Sequence, residues 1–64
     1  MTTDHVRDCE TADRATEQLA LAVLELSALE ALYPKNVTIE YARTKAIDAL
    51  EYARHALEMM RAND

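Results

Sequence analysis

The chain contains one proline and no glycine in 64 residues, so only one place is marked as a break in its backbone. Pro34 disfavours helical geometry in Tyr33 and has no N–H with which to extend a hydrogen-bonded ladder. Asn36 and Thr38 follow within four residues, and both types cap helices by accepting an orphan backbone N–H on a side-chain oxygen. The spacing predicts one helix from about Thr3 to Leu32, a corner over residues 33–37, and a second helix from about Thr38 to Ala62. A connection this short makes the two helices antiparallel neighbours. No segment alternates like a strand. The expected class is all-α: a single helical-hairpin domain over residues 1–64 that assembles into a homo-oligomeric bundle.

Assembly is expected because the first helix is apolar on two sides. At about 100° per residue, Leu19, Val23, Leu26 and Leu29 share one face, and Leu21, Leu24, Ala28 and Leu32 share the opposite flank. A helix with two apolar faces needs two coverings, and one partner helix supplies only one. The second helix gathers Ile39, Ala42, Ala46, Ala49, Leu50, Ala53, Ala56, Leu57 and Met60 in a single broad arc. The expected oligomer interface therefore comprises Leu19, Leu21, Val23, Leu24, Leu26, Leu29, Leu50, Ala53, Leu57 and Met60. Size points the same way. A chain below roughly 70–80 residues rarely supplies enough core alone and commonly relies on disulfides, a metal or oligomerisation.

Cys9 is the sole cysteine, which removes the disulfide route and makes a reducing cytoplasm the expected compartment. His5 and Cys9 stand one helical turn apart, but a structural zinc site wants four nitrogen or sulfur ligands. No metal and no cofactor are expected, and Cys9 reads as a small apolar residue on a thin stripe with Val6, Ala12 and Ala15. No apolar run reaches the ~18 residues of a membrane span, and the charged N-terminus lacks a signal-peptide pattern. These features lead to the expectation of a soluble intracellular protein. The Asn36-Val37-Thr38 glycosylation triplet is then fortuitous.

Twelve acids against seven lysines and arginines give a formal charge of −5. That balance excludes general duplex DNA binding, which needs a broad basic surface to displace counterions. Catalysis finds no glycine-rich phosphate loop, no serine or cysteine elbow and no carboxylate pair in an apolar cleft. Glu51 and His55, one turn apart, form a solvated contact rather than an acid–base pair, so no enzyme activity is expected. Glu40–Arg43, Glu51–Arg54 and Glu58–Arg61 are i,i+3 pairs, each supporting a helix by about 0.2–0.5 kcal/mol. Tyr41, Tyr52 and Met59 read as the rim of a core or interface, with the phenol hydroxyls at a wet boundary.

One stretch carries a further pattern. Thr44, Lys45, Asp48, Ala49, Tyr52, Ala53, Ala56 and Leu57 fall in "TKAIDALEYARHAL", which resembles the helical hairpin of small phage proteins that sequester cyclic-nucleotide immune signals, the sponges directed against bacterial CBASS and Thoeris defences. The aromatic position, a tryptophan in that pattern, is Tyr52 here. The resemblance covers fourteen of 64 positions. It implies a homo-oligomer of hairpins acting in the host cytoplasm, with ligand pockets at subunit boundaries and no turnover of the ligand. It most directly implies Thr44, Lys45 and Tyr52 as ligand-binding. Chemistry adds Arg43, Arg54 and Lys35 as phosphate-seeking cations and Tyr41 as a stacking surface. An alternative rests on charge alone: an acidic inhibitor or antitoxin-like subunit whose face, from Asp4 to Glu17, docks on a basic groove of a host defence protein. A bundle with no ligand at all is the third reading.

Overall fold

The computed structural model describes residues 3–62. Helix α1 spans Thr3–Leu32 and helix α2 spans Val37–Ala62, and no strand occurs among the described residues. The two helices pack against each other as a hairpin 49 × 14 × 11 Å in extent. Its radius of gyration is 14.8 Å, against about 11 Å for a compact domain of this length. The molecule is therefore a rod with one internal seam.

The corner is built without glycine because no described residue needs a positive φ. Tyr33 still donates its N–H to the Leu29 carbonyl at 3.0 Å, continuing the ladder of α1 by one bond. Pro34 follows and ends it. The Asn36 N–H then closes a turn on the Tyr33 carbonyl at 3.1 Å. The Asn36 side-chain oxygen accepts the N–H groups of Thr38 and Ile39 at 3.0 and 3.1 Å. Asn36 is thus the cap of α2, and its own carbonyl accepts the first helical bond from Glu40. Of the two capping candidates the sequence offered, Thr38 lies inside the helix, two residues past the cap position.

Most of the residues that withdraw from solvent follow an alternation of four and three, with Asp13, Ala20, Ala22, Ala42 and Ile47 half-buried beside it. On α1 they include His5, Cys9, Ala12, Thr16, Leu19, Val23, Leu26 and Glu30, and on α2 Ile39, Arg43, Ala46, Leu50, Ala53, Leu57 and Met60. This 3.5-residue period is that of a coiled-coil seam, narrower than the arc an ordinary globular helix buries. Only Leu50 and Leu57 are buried among the described residues, at 8% and 6% exposure, and no side chain there is wholly withdrawn from solvent. Small side chains at Ala12, Ala46 and Ala53 let the helices approach while leucines fill the layers between.

Leu57→Ala removes one of the two buried side chains among the described residues and is expected to cost about 2–4 kcal/mol, enough to abolish cooperative unfolding of a two-helix chain at 25 °C. Asn36→Ala is expected to cost about 1 kcal/mol and to leave the transition cooperative. Circular dichroism during urea titration measures both.

Candidate functional site

The seam carries charge at both ends. Near the corner the Arg43 Nε donates to Glu30 Oε2 at 2.5 Å, with both side chains less than a third exposed. Toward the open end Arg61 lies 3.6 Å from Asp13, and both are about half exposed. From Glu30 back to Asp13 is 17 residues and from Arg43 on to Arg61 is 18, so both bridges report one antiparallel register. That register sets Val23 level with Leu50 and Thr16 level with Leu57. The structure thereby corrects the expected pairing of Arg43 with Glu40 and of Arg61 with Glu58. Both arginines turn across the seam to an acid on the other helix. Spacing along one helix could not show this, but the seam period places Glu30 and Arg43 on facing positions.

Of the ten residues expected at an oligomer interface, Leu19, Val23, Leu26, Leu50, Ala53, Leu57 and Met60 line the hairpin's own seam. Leu21, Leu24 and Leu29 are exposed. Leu21 and Leu24 continue with Ala28 and Leu32 along the back of α1, directly away from α2, and all four are exposed. Leu21, Leu24 and Leu32 retain 58%, 66% and 73% of their surface.

The five residues expected to bind a ligand are distributed around α2. Arg43 is on the seam and committed to Glu30. Thr44, Lys45, Tyr52 and Arg54 are exposed. The Thr44 hydroxyl donates to the Glu40 carbonyl at 3.1 Å, leaving its oxygen able to accept. Lys45 places its ammonium 5.2 Å from the centroid of the Tyr41 ring, within reach of the ring's negative face. Tyr52, two turns on, is 78% exposed. It borders a shallow hollow with Asp48, Glu51 and His55. A second open hollow sits at the corner, lined by Leu32, Tyr33, Pro34, Lys35 and Asn36. Arg54 follows Lys45 by nine residues, which on a helix is half a revolution, so the two cations project in opposite directions. Tyr41, Lys45 and Tyr52 share one outer face, and Arg54 does not.

Other chemistry is sparse. The His5 Nε2 lies 3.6 Å from the half-buried Cys9 sulfur. Among the described residues no group of three or more histidines, cysteines or carboxylates is placed to hold a metal ion, and no charged or polar side chain is fully buried. No described helix is long and apolar enough to cross a membrane. Comparison with protein-family models, curated proteins and solved structures gives no match.

Glu30→Ala leaves the half-buried Arg43 without its partner and is expected to cost about 1–2 kcal/mol. An Asp13→Ala change at the exposed bridge is expected to cost at most about 0.5 kcal/mol. Thermal melts at low and high salt separate the two.

Proposed function

We propose that this chain is a non-enzymatic binding protein that assembles with itself and sequesters an anionic, base-bearing ligand of the cyclic-nucleotide class at its subunit boundaries, as the phage sponges it resembles do. The observation that carries this reading is the outer face of α2, where Lys45 stands over the Tyr41 ring and Tyr52 is largely exposed two turns away. A cyclic nucleotide needs a cation for its phosphates and flat apolar surfaces for its bases, and that face offers both on a rigid helix. The phosphate belongs at the Lys45 end, because Asp48 and Glu51 make the hollow beside Tyr52 acidic. Tyr52 contributes a stacking surface, and Thr44 a hydroxyl. Arg54 reaches the same ligand only from a neighbouring copy, since it projects away from Lys45.

A second reading is supported by the first half of α1. Asp4, Asp8, Glu10 and Glu17 are all exposed there, which suits docking on a basic groove of a defence protein. Under that reading the partner is a protein, the contact weakens with salt, and Lys45 and Tyr52 are immaterial.

Titration calorimetry against cyclic dinucleotides, cyclic trinucleotides and cyclic ADP-ribose isomers decides between them. The expected result is saturable binding to at least one ligand. Tyr52→Ala should then weaken it by about 1–3 kcal/mol, and Lys45→Ala by about tenfold, equivalent to about 1.4 kcal/mol. Absence of heat with every ligand at high micromolar concentration overturns the sponge reading.

A further inference from the structure

We infer that the back of α1 is a two-fold interface with a second copy of this chain, the two α1 helices lying antiparallel and centred near residue 26. This rests on the self-assembly in the reading above and not on its ligand. Leu21, Leu24, Ala28 and Leu32 form an exposed stripe about 16 Å long on the side of α1 that α2 leaves bare. Turned end for end, the stripe matches itself. Leu21 comes level with Leu32 of the second copy, and Leu24 with Ala28, so that large meets small in the middle. Isologous interfaces require that self-complementarity.

Charge follows the same symmetry. Glu17 lies on this face of α1 nine residues before the centre, and Lys35 lies in the corner just beyond the end of α1, sharing the hollow there with Leu32; both are exposed. An antiparallel partner therefore brings Glu17 of each copy toward the corner of the other, where Lys35 is exposed, at the two rims of the apolar contact. A parallel pairing would instead set Glu17 beside Glu17. The hairpin as a whole is also under-buried for its mass. The isolated hairpin exposes 5040 Å² for a mass of 7.2 kDa. A compact monomer of that mass exposes roughly 4100 Å². The excess, about 900 Å², is spread over the whole rod and is comparable to the ~800 Å² that each partner contributes to a standard interface, so the hairpin has surface to spare for one.

Sedimentation equilibrium of the full chain, with circular dichroism as a check on helicity, tests the pairing. The wild type is expected to dimerise or assemble further at micromolar concentration. Leu24→Glu should shift the association at least a hundredfold toward monomer. Glu17→Lys and Lys35→Glu should each weaken it by roughly tenfold, with helicity retained, and the double exchange Glu17→Lys/Lys35→Glu should restore it. A monomeric wild type at about 100 μM overturns the interface. Insensitivity to Leu24→Glu overturns it too. Single exchanges without effect, or without rescue in the double variant, overturn the two-fold register. Ligand titration of the same samples reports separately, so a chain that pairs as described and binds no nucleotide refutes only the sponge reading.

Discussion

Leu50 and Leu57 are the only buried side chains among the described residues, and both sit on the one seam that α1 and α2 share. A two-helix chain has no other interior. Each buried layer contributes on the order of 1.5–3 kcal/mol per large side chain, against a conformational entropy of roughly 1–2 kcal/mol for every backbone residue ordered. The seam keeps its helices close by alternating leucine with alanine and extends over nearly their full length. A 3.5-residue period is what such a long, narrow contact demands. A 3.6-residue stripe would drift away from the partner within a few turns.

An apolar seam of repeated small and large layers would tolerate sliding by a heptad, and the polar residues on it remove that freedom. Glu30 and Arg43 occupy facing seam positions next to the corner, where a slip would leave each charge half-buried and alone. Breaking such a pair costs more than forming it gains. Asp13 and Arg61 repeat the arrangement near the other end with more exposure and a longer separation, so they add direction more than stability. The Asn36 cap and the Tyr33–Asn36 turn fix where α2 begins. Corner geometry and charge pairing thus specify the same register independently.

The hairpin was legible in the sequence because its signals are local. Pro34 stops one helix, Asn36 starts the next, and a chain without glycine gives few other options. The seam was legible only in part. A broad arc on α2 gathered Ala49 and Ala56 together with Leu50 and Leu57, yet both alanines are exposed, because apolarity alone does not separate a 100° arc from a two-position seam. Arg43 read as an edge cation with a partner one turn back, and its true partner lies 13 residues away across the corner. Long-range pairing of this kind emerges only when the register of both helices is laid side by side. For the candidate ligand residues, the seven-residue spacing of Lys45 and Tyr52 puts both on one helix face. The stacking of Lys45 on Tyr41 needed coordinates.

Geometry also constrains how the two surfaces outside the seam can act together. The back of α1 and the outer face of α2 point in opposite directions from one hairpin. Pairing two copies through α1 gives the order α2, α1, α1, α2 across the dimer. With helices 8–10 Å apart, the two α2 axes stand roughly 27 Å from each other, too far for one small ligand to bridge. A pocket that draws Lys45 and Tyr52 from one copy and Arg54 from another therefore needs a further contact along the side of α2. Ala42, Ala49 and Ala56 recur every seventh residue on the flank next to Lys45 and Tyr52, and their small side chains allow another helix to approach closely there. The proposed self-association through α1 and the proposed ligand capture on α2 are consequently separable, and a pocket shared between copies would require an assembly larger than a dimer.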